Sequence, residues 1–515
     1  MGRRALSTTA PADDDIAALA KGGRTNFFGF LLRLAARLPF LFIAGRIYGA
    51  EALGRFAYAV LIVEFAAQLA TLGLKRGLAQ QLSSTDKPHV CVVADAMLVA
   101  FLASAVATIV LAIFPQAMFP NSKIHGLEWL LPLIVFAIAG SDVALAALAY
   151  RHNVRATVTA RAIVEPWTIS IAAFLLAFIS SRDGLIIAYV LSMLAALLAS
   201  LWPLYKSYGL PRGWRPQPGV LWALARRNTP LAMADAIEWG SRRIDIAILG
   251  LFFSPAIVGI YYVAQQVASL PQKLKTSFDP ILGPVITEKL AEGDRKAVAN
   301  QVRQVGFWII AAQTGIALAL GIPGEAVMGL VGPQFVGGTG ALAFLLAAEA
   351  IAATAAVSEA ALVYVARHRN LMISLLMIVV QVALSIALIL GMRALHWPII
   401  AQAAGPAIAL CLALGLSSIL KARLLSQLLE APVQGWRWPL VWAAAAAAVV
   451  GYGITILPQS FEWFELVVGI PLILGTFGIV VWTRGFTHED RVLFRMKKPK
   501  EATLPPPPGA SPPVR

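Results

Sequence analysis

The chain is a near-regular series of apolar runs, each about 17–25 residues long, the length an α-helix needs to cross a hydrocarbon layer of about 30 Å. In lipid, such runs must bond their own backbone groups, which helices do segment by segment. The expected spans are 26–49, 55–76, 90–114, 126–149, 160–180, 184–205, 229–252, 256–280, 304–324, 340–365, 371–392, 398–419, 437–457 and 463–483. The expected fold class is therefore all-α, a polytopic membrane protein of about 14 transmembrane helices.

Composition points the same way. The chain is 59% hydrophobic and only 13% charged, with a mean hydropathy of +0.74, whereas a soluble fold of this size must cover itself with polar side chains. The net charge of +15 and pI near 10.0 would suggest nucleic acid in a soluble protein. Here the basic residues sit in short loops between apolar runs, where membrane orientation and anionic lipid account for them, and no nucleic-acid partner is expected. Cys91 and Cys411 are the only cysteines and lie in or beside apolar segments, so no disulfide framework is implied.

Loop charge gives an independent check on helix count, because Lys and Arg concentrate in cytoplasmic loops. Alternate loops carry Lys75, Arg76 and Lys87; Arg151, His152 and Arg155; Lys206, Arg212, Arg215, Arg226 and Arg227; Lys289, Arg295 and Lys296; Arg367 and Arg369; and Lys421 and Arg423. The intervening loops hold mainly Arg46, Arg55, Lys123, Arg182 and Arg393. An even helix count follows, with both termini on the cytoplasmic side.

The first apolar run lacks a short hydrophobic region followed by a small-residue cleavage site, so it is expected to stay as the first helix. Arg3 and Arg4 read as an inside-anchoring charge. Asp13, Asp14 and Asp15 match the loose acidic triplet of metal-dependent glycosyltransferases, yet they sit in a polar tail beside no fold and read as a solvated run. No metal, cofactor or catalytic residue is expected.

An offset of 205 residues aligns Gly45 with Gly250, Gly54 with Gly259 and Phe56 with Tyr261, each time across a helix exit, a tight turn and the next helix entry. Both copies open a six-helix block in the same orientation, which makes them parallel repeats about an axis along the membrane normal. The expected organisation is a disordered cytoplasmic tail (1–24), an N-lobe of helices one to six (25–205) and an inter-lobe linker (206–228). A C-lobe of helices seven to twelve (229–420), a C-terminal helix pair (421–485) and a basic, Pro-rich cytoplasmic tail (486–515) complete it.

The segment Gly45-Arg46-Ile47-Tyr48-Gly49-Ala50-Glu51-Ala52-Leu53-Gly54-Arg55-Phe56-Ala57 resembles the opening motif of the polysaccharide-exporter and oligosaccharide-flippase family. That family shares a superfamily with multidrug-and-toxin exporters and the lipid II flippase. Arg242 to Gly250, then Gly259-Ile260-Tyr261-Tyr262, and Gly329-Leu330-Val331-Gly332-Pro333-Gln334-Phe335 resemble its second-lobe motifs. The arginine-, glycine- and proline-rich signature associated with lipid II flippases is absent around residues 33–60.

The resemblance implies a flippase of the bacterial inner membrane that moves polyprenyl-pyrophosphate-linked oligosaccharide by alternating access, for lipopolysaccharide, capsule or exopolysaccharide synthesis. Its implied partners are that lipid-linked substrate, membrane lipids, and a polysaccharide polymerase and chain-length protein. The last two helices would help form a groove for the lipid tail. Rival readings are an ion-coupled multidrug exporter, a lipid II flippase, or an enzyme such as a polysaccharide polymerase. The enzyme reading lacks a sizeable outer loop, a zinc-ligand cluster or a nucleophile motif.

Ionisable residues inside spans are costly and mark candidate sites. Arg33 and Arg37 lie four apart on the first helix, on one face with Asn26, with no carboxylate on that helix to neutralise them. They suit either a pyrophosphate receptor, through arginine's planar fork, or one half of a structural ion pair. On helix seven Asp235, Glu238, Arg242 and Asp245 form a stripe at spacings of 3, 4 and 3. Arg242 is then a substrate ligand, and one of the carboxylates couples transport to an ion, or the stripe neutralises itself. Glu64, Asp142, Asp279 and Glu349 are further ion-coupling candidates, isolated in sequence. Arg161 is expected to pair with Glu165 along helix five.

Overall fold

The computed structural model describes residues 38–120, 126–151, 153–271, 294–456 and 462–487. Among these residues the chain is helical throughout, without a strand. In the first half run α1 (38–48), α2 (Gly49–Ala70), α3 (Leu74–Ser83), α4 (His89–Ile113) and α5 (Ile134–Tyr150), followed by α6 (residues 154–177) and α7 (Gly184–Tyr208). The second half holds α8 (Pro218–Ser241), α9 (Ile244–Phe252), α10 (255–271), α11 (Arg295–Gly321), α12 (Gly324–Val331), α13 (Thr339–Val365), α14 (Arg367–Ala394) and α15 (399–429). The pair α16 (Pro439–Thr455) and α17 (462–485) follows.

Ten helical stretches among the described residues are long and apolar enough to cross a membrane. The first of them holds helices one and two, which part at Gly49, where φ is +82°, a value that favours a residue without a Cβ. Helix seven, too charged to qualify, helix eight and the shorter α16 complete a bundle of about 14 helices. The chain is a multi-pass membrane protein.

The helices are apolar on nearly every face because two solvents need to be satisfied. On α4, Phe101, Val106, Ile109 and Ile113 are exposed, outward toward lipid, while Val92, Ala96, Val99 and Ala100 pack inward. Water drives no helix together inside a bilayer, so contact surfaces rely on small residues and close approach. Accordingly α5 buries Ala137, Ala139, Ala144 and Ala147. One large apolar cluster unites the halves, joining Phe56, Leu61 and Val63 to Leu249, Tyr261, Leu342 and Leu410. The terminal pair docks on α11, where Gly315 faces the ring of Phe477 and Arg437 lies 4.0 Å over Phe307 while donating to the Gly485 carbonyl at 2.7 Å.

Several boundaries differ from the hydropathy reading. The span expected at 55–76 is α2 followed by the short amphipathic α3, divided by Gly73 at φ +67°. Helix α15 continues to Leu429, so Lys421, expected in a loop, lies inside it, 5% exposed and 3.1 Å from Glu359. The span expected at 229–252 is broken, with α8 starting at Pro218 and ending at Ser241 before α9 begins at Ile244. Leu221, Leu224 and Ala225 of α8 pack with Leu74, Val92 and Val143 of the first half. The 209–217 connection is tied to the same half by Trp214, whose indole N–H donates to Asp95 at 2.8 Å.

Candidate functional site: the seam between the halves

Helices α2 and α3 of the first half run along α8, α9 and the start of α10 of the second, and their contacts fall at three depths. By the orientation expected from loop charge, the end that carries Gly49 is called outer and the end that carries Gly73 inner.

At the outer end backbone meets backbone. A Cβ on Gly54 would strike the Pro255 carbonyl and the Gly259 nitrogen, and a Cβ on Gly259 would strike the Ala50 carbonyl and the Gly54 nitrogen. Gly250 in turn accommodates the ring of Tyr58. Beside this crossing, Arg46 Nε donates to the Leu330 carbonyl at 2.9 Å and Gln334 Nε2 donates to the Gly45 carbonyl at 3.0 Å. The three motif segments that carry the family resemblance thus converge on one seal. The cavity left between Gly54, Arg55, Tyr58, Gly250 and Pro255 is about 20 Å³, room for roughly one water.

At mid-depth the seam is polar. Tyr189 Oη donates to Glu64 Oε1 at 2.9 Å, and Arg243 Nη2 approaches Glu64 Oε2 at 3.9 Å from across the seam. The Arg243 guanidinium lies 4.4 Å over the Trp239 ring, which itself sits 5.8 Å from Phe65. Behind Glu64, Arg161 donates to Glu165 and Ser141, each at 3.0 Å, and to Asp142. Arg161 stands in a π-turn, Thr159–Val164. Pro166 comes two residues after this turn ends, and a proline offers no N–H and crowds the carbonyl four residues back, which widens the preceding turn and swings Arg161 toward α5. Ser192, on the same helix as Tyr189, donates its hydroxyl to the Glu165 carbonyl at 2.7 Å, which brings these groups together.

Asp245 belongs to a separate, closed arrangement. It is 0% exposed and accepts from Tyr261 Oη at 2.8 Å, from Gln265 Nε2 at 3.1 Å to each oxygen, and from the Ile246 N–H at 2.9 Å. A carboxylate in the first turn of a helix offsets the positive end of its dipole. Here it also fastens α9 to α10.

At the inner end Arg76 Nε of α3 meets Asp235 Oδ1 of α8 at 3.0 Å. Gly73 lies against Asn228, Leu231 and Ala232, and Gly77 against Asn228 and Leu231. Glycine contacts therefore bring the two halves together at both ends of the seam, with an ion pair added at the inner one.

The candidate residues read from sequence divide accordingly. Glu64 and Asp142 are brought into the mid-depth cluster. Asp235 is taken up by the inner contact, 7% exposed. Asp245 is enclosed by its donors, and Arg242 stands exposed in the helix break. Glu349 is half-buried on α13. Asn26, Arg33, Arg37 and Asp279, and the side chain of Glu238, lie outside the described residues. The expected continuous stripe on helix seven is interrupted, because the break between Ser241 and Ile244 turns Asp245 toward α10 and away from an i, i+3 partnership with Arg242. Pairing of Arg161 with Glu165 is present, with Asp142 as a third member. Arg243 and Tyr261 entered the sequence reading only as members of family motifs and Tyr189 not at all, since a tyrosine in an apolar run passes for packing and Arg243 passes for half of an RR pair.

Helices of the two halves meeting along a polar seam give a fold that superposes on solved membrane transporters. An inward-facing multidrug-resistance transporter of the MATE family superposes with a TM-score of 0.60 at 15% identity, over 78% of this chain and 99% of its own. The lipid II flippase MurJ in an inward closed conformation gives 0.59 at 11% identity, over 89% and 98% of the two chains. A transporter of the same superfamily from Pyrococcus furiosus, described by the reversed polarity of its binding pocket, gives 0.53 at 14%, over 82% and 99%. A family profile described as polysaccharide biosynthesis protein matches residues 29–288, and the chain belongs to that family. No curated protein sequence matches it.

Proposed function

We propose that the protein is a flippase that carries polyprenyl-pyrophosphate-linked oligosaccharide across the bacterial inner membrane by alternating access, with both termini in the cytoplasm. The family match over residues 29–288 is the observation that favours this cargo over a drug. The seam supports the transport mode: polar and charged at mid-depth and held by small contacts at each end, it offers polar partners to a sugar headgroup while the lipid tail stays in the bilayer. Arg242 adds an exposed guanidinium that has no ion-pair partner among the described residues, suited to a phosphate.

Ion coupling is assigned to the carboxylates of the mid-depth cluster. Their side chains remain partly exposed, 29% for Glu64, 18% for Glu165 and 11% for Asp142, and three carboxylates share Arg161 and a distant Arg243. Asp245, with its oxygens already taken by donors, is left a structural role. The test is reconstitution into vesicles with a fluorescent polyprenyl-pyrophosphate oligosaccharide. Transbilayer movement of this lipid is expected; movement of lipid II alone, or of a cationic dye alone, would replace the reading.

A further inference from the structure

The break in helix seven sets two arginines at mid-depth, and Arg243 is the one aimed across the seam. Its side chain is 39% exposed. Its guanidinium carbon lies 4.4 Å over the Trp239 ring, yet among the described residues it makes no side-chain hydrogen bond. The 3.9 Å approach to Glu64 exceeds the 2.7–2.9 Å of a charge-assisted hydrogen bond. Arg161 is the contrast. It commits N–H groups of both terminal nitrogens to Asp142, Ser141 and Glu165, where Arg243 commits none among the described residues.

We propose that Arg243 is a ligand for the pyrophosphate of the substrate, and that the phosphate takes Arg243 away from Glu64, so that occupancy itself releases the mid-depth tie between the two halves. The proposal rests on the flippase reading. The chemistry favours the exchange. A guanidinium edge presents two parallel N–H donors to two phosphate oxygens, a bidentate match that an offset carboxylate at 3.9 Å does not provide. An ion pair between partly exposed groups holds weakly, and Glu64 keeps its bond from Tyr189 at 2.9 Å when Arg243 leaves. The Trp239 ring beneath the guanidinium restrains its position, which reduces the entropy lost when the ligand arrives. Because Glu64 stands on α2 and Arg243 at the start of α9, the exchange removes a contact between the halves and leaves both helices intact.

The test uses the full chain in phosphatidylcholine nanodiscs, with farnesyl pyrophosphate as the probe and farnesol as the uncharged control. Arg243→Gln is expected to weaken binding of farnesyl pyrophosphate at least tenfold and leave farnesol unaffected. Glu64→Gln keeps an acceptor for Tyr189 but removes the competing charge, and is expected to tighten binding several-fold. A merely structural ion pair would instead give Glu64→Gln unchanged or weaker binding. That result, or unaltered binding by folded Arg243→Gln, overturns the proposal. So does displacement of the probe by an equal amount of phosphatidylglycerol, which would make the ligand a bilayer headgroup. Flipping by the same variants in vesicles separates the two readings: wild-type binding of the expected pattern without flipping rejects the flippase, while flipping with Arg243→Gln unimpaired rejects only the role of Arg243.

Discussion

Gly54 and Gly259, equivalent positions in the two halves, each occupy the space that a side chain on the other would need. Such reciprocity is what the expected 205-residue repeat would produce where one helix entry packs on its mate. Bulk at either position should prop the outer end open. Gly54→Val and Gly259→Val are expected to raise the reactivity of a cysteine at Tyr58 toward a water-soluble thiol reagent and to cut transport at least tenfold. Gly340→Ala, which has open space around it, should change neither. Unchanged reactivity in both valine variants would mean that this crossing is not the outer closure.

The inner contact between Arg76 and Asp235 is unequally exposed, 55% against 7%. Removing the arginine leaves a buried carboxylate, a change of about 1–3 kcal/mol against the closed inner end. Arg76→Gln should therefore make a cysteine at Asn228 more accessible from the inner side, and the charge exchange Arg76→Asp with Asp235→Arg should restore protection. Failure of the exchange to restore it, in folded protein, would count against an electrostatic latch.

Arg161 answers Asp142 and Glu165 together. Arg161→Met leaves both carboxylates beside each other in the bilayer and is expected to lower stability by about 3 kcal/mol, read as a lower midpoint of thermal unfolding in detergent. Adding Asp142→Asn and Glu165→Gln should recover most of that loss. If the triple variant is no more stable than Arg161→Met, the arginine acts through some other contact.

Asp245 receives bonds from Tyr261, Gln265 and the Ile246 N–H. Asp245→Asn would turn an amide N–H₂ toward donors, so it is expected to destabilise the protein more than Tyr261→Phe, which removes one hydrogen bond worth about 1–2 kcal/mol. Transport by whatever Asp245→Asn protein folds should keep the wild-type dependence on the ion gradient. Loss of that dependence would return Asp245 to the coupling site.

The orientation is checked by reporter fusions after residue 20 and after residue 486. Both should report the cytoplasm; opposite sides would rule out an even number of spans.

The helix plan was legible in the sequence because membrane insertion is a local problem: a run near 20 apolar residues satisfies its own backbone wherever it sits in the fold. The need for glycine at positions 54 and 259 was legible too, since two backbones that cross this closely leave no room for a side chain. Which charge meets which was not. Asp142 and Arg161 are 19 residues apart, Arg76 and Asp235 lie in different halves, and helical spacing names the face of a residue but never the helix opposite. Nor does a hydropathy sum register the break before Ile244, or that Asp245 turns toward Tyr261. Those outcomes depend on long-range packing, where a buried polar group takes the partner that tertiary geometry brings within hydrogen-bond reach.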